Sequence, residues 1–164
     1  MLYPASLRDT LLRAAAKGLF RPVWTETIWD EVLRDLVTKP RNSMPPDAAA
    51  YLRTQIRRHF PDAEVAGYEI LIPSMTNDEE DRHVLAAAVH VQAEQIVTFN
   101  LEDFPAAATA PYGIVTLGPD AFLIALLSEA SDIHGTNHPR TGRSPAAATH
   151  DDCTPPRNAC RACA

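Results

Sequence analysis

The chain has 164 residues, 46 % of them apolar, which suits one domain with a real core. Its net charge of −6 excludes retention on nucleic acid by bulk charge, so any RNA or DNA contact must use a local patch. No apolar run approaches the roughly 20 residues of a membrane span, and Met1 begins no charged-then-apolar leader, so the expected compartment is cytoplasmic.

Taken in chain order, Ser6 can cap a helix over LRDTLLRAAAK, with Leu7, Leu11, Leu12 and Ala15 on one side and Gly18 as its stop. Thr25 can cap a second, ETIWDEVLRDLV, whose stripe is Ile28, Val32 and Leu36. At about 100° per residue, Glu31 falls about 60° outside that stripe, on its border. A border carboxylate can lean over a sheet edge, although spacing alone favours a solvated side chain. Asp35 sits nearer the stripe and competes for the same role. Asp47 can start a third helix, AAAYLRTQIRRHF, with Ala49, Leu52, Ile56 and Phe60 in register. Residues 69–72, EILI, read as a short strand.

Asn77 or Asp78 is expected to cap the next helix, through about Val91, with Val84, Leu85, Ala88 and Val91 inward. Asp78, Glu79, Glu80 and Asp81 crowd its first turn, where exposed N–H groups and the helix dipole favour acids in any case. His83 and His90 lie about two turns apart, too far to chelate one ion, and read as packing or surface residues. QIVTF (95–99) and IVTL (114–117) are short apolar strands, and Gly118-Pro119-Asp120 opens a last helix, AFLIALLSEA. Helices alternating with continuous apolar strands imply an α/β fold with a parallel sheet covered on both faces. Ligands of such sheets bind outside the carboxyl ends of strands, where Asn100 and Asp103 follow QIVTF.

From residue 131 onward Ile133 is the one large aliphatic residue. Such a segment cannot bury enough apolar area to offset its ordering entropy. The expectation is a domain over 1–130 followed by a disordered Pro/Ala/Thr-rich tail, 131–164. The domain part carries 18 Asp plus Glu against 11 Lys plus Arg. Cys153, Cys160 and Cys163 all fall in the tail; an odd count argues against a disulfide scaffold, and zinc held with His150 is the weaker alternative to free thiols.

Acids from separate segments suggest a hard-cation site for Mg²⁺ or Mn²⁺, because packed carboxylates repel one another unless a cation neutralises them. Such ions can activate water and stabilise a leaving oxygen in phosphodiester hydrolysis. No G-x-S-x-G, P-loop or dinucleotide glycine pattern is present.

The run DEEDRHVLAAAVHVQAEQIVTFNLEDFP resembles the C-terminal half of a PIN domain, in the branch of toxin–antitoxin toxins. LYPASLRDTLLRAAAKGLFRPVWTETIWDEVLRDL resembles its N-terminal part, so the likeness covers about residues 2–127. The resemblance implies a three-layer α/β/α fold and divalent-metal-dependent cleavage of single-stranded RNA, leaving a 3′-hydroxyl and a 5′-phosphate. It carries the family's second-helix acid onto Glu31 and the acid opening the alanine-rich helix onto Asp81, with Asp78 as companion. The acid after the following strand falls in the loop from Asn100 to Asp103. The slot lies nearer Asn100, so Asp103 must supply the carboxylate. Thr98 matches a position beside that site. The family's first ligand, an Asp ending strand one, would precede Leu2-Tyr3-Pro4 and has no counterpart in this sequence. The expectation is therefore a sheet lacking most of its first, central strand, with both ends altered by a misplaced start and a frameshift near residue 130, or a degenerate gene product.

Two functions follow from the likeness. One is a Mg²⁺- or Mn²⁺-dependent endoribonuclease, the toxin of an antitoxin-controlled pair, acting through Glu31, Asp81 and Asp103. The other is a catalytically inactive remnant that binds an antitoxin or pairs with its own copy as a homodimer. Arg8, Arg13, Arg53, Arg57 and Arg58 are candidates for holding the RNA backbone, with surface solvation as the alternative for each.

Overall fold

Helix α1 (Ala5–Ala16) buries Leu11 and Ala15 and ends at Gly18, whose φ of +75° is open to glycine without strain. The computed structural model describes residues 5–39, 44–134 and 161–163. Strand β1 (Arg21–Val23) follows and runs into Trp24 and Thr25. Thr25 Oγ1 accepts from the Ile28 N–H at 3.2 Å and caps α2 (Glu26–Thr38), as its residue type predicts. Helix α3 (Pro46–His59) begins on a proline whose missing N–H costs nothing there, one residue before the expected Asp47.

Two expectations fail in the next stretch. EILI forms no strand; Glu69–Ser74 is a 3₁₀ turn, closed by Leu71 N–H to Tyr68 O at 2.9 Å and Met75 N–H to Ile72 O at 3.1 Å. Pro73 has no N–H for a ladder, and Ile70 points into solvent at 84 % exposure, so this run does not fit a buried strand. Helix α4 (Arg82–His90) starts later than Asn77 or Asp78. Asp78 Oδ1 accepts from the Glu80 N–H at 3.0 Å, which spends the carboxylate on a turn and delays the helix to Asp81.

The remaining elements are β2 (Gln95–Val97), α5 (Ala106–Thr109), β3 (Val115–Leu117), α6 (Pro119–His134) and β4 (Arg161–Cys163). The four strands form one parallel sheet in the order β1-β4-β2-β3. Its interior slot between β1 and β2 is filled from within the expected tail: Ala162 pairs with Pro22 on one side and Gln95 on the other. The peptide groups of β1 and β2 that an absent central strand would leave bare thereby gain a neighbour. The rest of the expected tail, with Cys153, Cys160 and His150, lies outside the described residues.

Alternation along β2 shows the layering. Ile96 packs with Trp24, Trp29, Leu85 and Ala86–Ala88, the core under α2, α3 and α4. Val97, one residue on, packs with Leu11, Phe20, Phe122 and Leu126, the core under α1 and α6. Helices thus cover both faces of a small parallel sheet, the α/β arrangement expected. Among the described residues no helix is long and apolar enough to cross a membrane.

Candidate functional site

In an all-parallel sheet the carboxyl ends share one rim, and here three segments bring acids to it. Helix α2 leaves β1 at that rim and carries Glu31. Helix α4 runs back toward the amino ends, so its first residues, with Asp81 before them, lie at the rim as well. The third segment follows β2. Thr98 N–H extends the ladder to Leu117 O at 3.0 Å, and the Thr98 hydroxyl accepts from the Asn100 N–H at 3.1 Å. The chain then turns through Leu101–Asp103, anchored by buried Phe104. Asp78 N–H donates to Asp103 O at 3.2 Å and ties the two acidic loops together.

Asp81 is the N-cap residue of α4 yet makes no side-chain cap bond. Its carboxyl is instead hydrogen-bonded to that of Asp103. Burial first, then the charge and hydrogen bond of Asp103, push the Asp81 pKa up from 3.8 to about 6, with Glu31 adding to the rise and His83 opposing it. The helix-dipole account of this acid therefore does not suffice: a carboxyl used only as a cap would bond the helix N–H groups, which Asp81 does not, and would be stabilised in its charged form. Glu31, 44 % exposed, stands over the same rim, with Oε2 at 3.6 Å from His83 Nε2. Asp35 does not compete with it, because its carboxylate bonds Lys39 one turn on. Asn100 and Asp78 are exposed, and Thr98 acts on the loop through its hydroxyl.

Sequence reasoning missed His83. It is buried and faces Glu31, while His90 is exposed. The signal was present in the run D-R-H, which sets an imidazole in the first turn behind the acid.

The arginines proposed for RNA are mostly turned elsewhere. Arg13 bonds Asp9 at 2.8 Å, Arg53 pairs with Glu26 and Asp30, and Arg57 reaches Glu64 at 2.7 Å. Arg8 is buried, which lowers its pKa. Arg58 is exposed on α3.

A hard cation fits this donor set in part. Two aspartates close enough for one to raise the pKa of the other, with a third carboxylate in electrostatic reach, are groups a divalent ion would relieve of repulsion. Among the described residues, however, no three His, Cys, Asp or Glu side chains converge tightly enough to hold an ion as they stand. Such a site would rely on retained water, as Mg²⁺ sites commonly do.

Comparison with protein families matches residues 1–102 to the PIN domain. A curated protein of Mycobacterium tuberculosis, named "Putative ribonuclease VapC50", is 57 % identical over 58 residues. Those residues are 35 % of this chain and 34 % of that protein, so the match spans about a third of the relative's length. No solved structure matches the chain.

Proposed function

The chain belongs to the PIN domain family, and from that premise we propose that it is a metal-dependent endoribonuclease, the toxin of a toxin–antitoxin pair. Glu31, Asp81 and Asp103 would hold Mg²⁺ or Mn²⁺, directly or through water, with Asp78, Thr98 and Asn100 shaping the loops around them. A divalent ion bound there would lower the pKa of a water and offset charge building on the phosphate. Single-stranded RNA is the substrate implied by the family likeness and by the ribonuclease name of the relative. A cognate antitoxin and a homodimeric partner come with the same reading, in the cytoplasm.

The observation that carries this reading is the meeting of the Asp81 turn and the Asp103 loop at one rim, tied by Asp78 N–H to Asp103 O at 3.2 Å, with burial and the neighbouring Asp103 raising the Asp81 pKa. The test is cleavage of a single-stranded RNA with and without Mn²⁺. Cleavage should need the ion, leave 5′-phosphate ends, and vanish in Asp81→Asn. Turnover that persists in that variant, or in excess chelator, would overturn it.

One observation favours a second reading, an inactive PIN-fold module that binds an antitoxin or its own copy. The described residues contain no ready three-donor set. In that case the protein takes up no Mn²⁺ at any concentration that leaves it folded, and Asp81→Asn changes nothing about its association.

A further inference from the structure

The rim that gathers the acids is a poor surface for phosphates. Segments 77–82 and 98–104 carry six Asp and Glu against one arginine, Arg82, and Asp78, Glu79, Glu80 and Glu102 stand exposed there. Arg13, Arg53 and Arg57 are occupied by acids of the protein itself. A strand of RNA reaching this rim is repelled along its backbone except where a cation intervenes. Contacts that carry no charge must therefore hold it, and for single strands these are stacked bases.

An uncharged surface of this kind lies on the same rim. Phe99, just past the end of β2, is 58 % exposed, and Leu101 beside it is 48 % exposed. The aromatic pairs among the described residues are Phe20 with Phe122 and Trp24 with Trp29 and Phe60; Phe99 belongs to none of them. Its backbone is nevertheless fixed. Thr98 N–H donates to Leu117 O at 3.0 Å before it, Asn100 N–H donates to the Thr98 hydroxyl at 3.1 Å after it, and buried Phe104 anchors the far end of the loop. The same loop carries Asp103. Tyr51 and Tyr112 are exposed too, but on α3 and ahead of β3, not on the segments that bear Asp81 and Asp103. We propose that Phe99 is the nucleobase platform of this rim, on which a base adjoining the scissile phosphate stacks, with Leu101 at its side. The proposal rests on the reading of the rim as a ribonuclease site. It accounts for a single-stranded substrate, because a duplex hides the base faces that an aromatic side chain needs.

The experiment is Mn²⁺-dependent cleavage of a short single-stranded RNA by the full chain, with an abasic ribose placed at each position around the cut in turn. At one position the abasic RNA should raise the wild-type KM about tenfold. Phe99→Leu should raise KM for the intact RNA by a similar factor, and the loss should fall on KM rather than kcat, because stacking holds ground state and transition state alike. In Phe99→Leu the abasic penalty should vanish, since the partner of that base is already gone. Phe99→Tyr, which keeps the ring, should retain both the wild-type KM and the penalty; Phe99→Met, equally without a ring, replaces the leucine variant if that one fails to fold. A KM unchanged in Phe99→Leu, or an abasic penalty undiminished in it, would overturn the assignment of Phe99 and leave the ribonuclease reading standing. An unchanged KM with lost association between copies in gel filtration would make Phe99 a protein contact and overturn the assignment likewise. A wild type that cleaves no RNA with Mn²⁺ would overturn the ribonuclease reading and the assignment with it.

Discussion

Two groups of acids on this molecule look alike as sequence and behave in opposite ways. In the seam between α2 and α3, Glu26 and Asp30 face Arg53, and Arg57 joins Glu26 to Glu64. The hydrogen bond from Arg53, ahead of all other influences, holds Glu26 below the ordinary carboxylate range. At the rim, Asp81 is driven the other way, to about 6, by burial and by Asp103. The seam supplies its own cations; the rim supplies a half-buried carboxyl pair, with Glu31 Oε2 at 3.6 Å from the His83 imidazole. Acids that a protein neutralises internally serve its fold, while acids it crowds together unneutralised are poised for an outside charge.

The largest expected effect separates the two groups by function. Asp81→Asn should reduce Mn²⁺-dependent RNA cleavage by more than about 100-fold and weaken Mn²⁺ binding in step, since loss of even an outer partner of a metal site costs about 10–100-fold. Arg53→Gln, in the seam, should leave both unchanged. Parallel cleavage assays and Mn²⁺ titrations decide it, and an equal loss in both variants would erase the distinction.

The next effect is on stability and has a definite sign. Asp81 has a folded pKa above its unfolded 3.8, so its stabilising contribution is complete below 3.8 and is lost as pH rises through about 6. Without divalent ions, Asp81→Asn should therefore match the wild type near pH 3. It should exceed the wild type near pH 7 by on the order of 1 kcal/mol, a figure reduced for the site's partial exposure. Saturating Mn²⁺ should reverse the order, because only the wild type binds it well. Urea melts at the two pH values, with and without Mn²⁺, give all four numbers.

Much of this arrangement was readable beforehand, for physical reasons that differ by element. The helices α1, α2 and α6 and the strands β2 and β3 announce themselves through stripes or short apolar runs bounded by Thr25, Gly18 and Gly118. The meeting of Asp81 with Asp103 follows from one rule, that a helix leading into a parallel strand starts at the rim where that strand ends. Other elements carried no such signal. RPV of β1 contains a proline, which argues against a strand on sequence grounds, yet it is held by pairing with β4. Arg161–Cys163 has no apolar run and is a strand because two neighbours bracket it, information that lies far away in the chain. EILI had strand-like composition, but composition does not report that Ile70 faces water. The contact of His83 with Glu31 is tertiary, between two helices, and no spacing within either helix encodes it.

The seam offers the smaller tests. Arg53 is the pivot: its side chain is 16 % exposed and contacts both Glu26 and Asp30. Arg53→Met keeps the stem but leaves two acids facing one another, so it should cost about 0.5–1.5 kcal/mol, and added salt should recover part of that. Glu26→Gln should do less, since Glu26 lies at the solvent surface and Arg57 retains Glu64. Its sign against pH is opposite to that of Asp81. A lowered folded pKa means the Glu26 contribution is present above the unfolded value of 4.5 and disappears as pH falls through the folded one. The gap in melting temperature between Glu26→Gln and wild type should therefore close on acidification, over the range in which the Asp81→Asn gap also closes but from the other side. Opposite slopes in the two variants would mean that one acid group is internally balanced and the other is not; slopes of the same sign would mean that burial alone, and not the choice of neighbour, sets how these carboxylates behave.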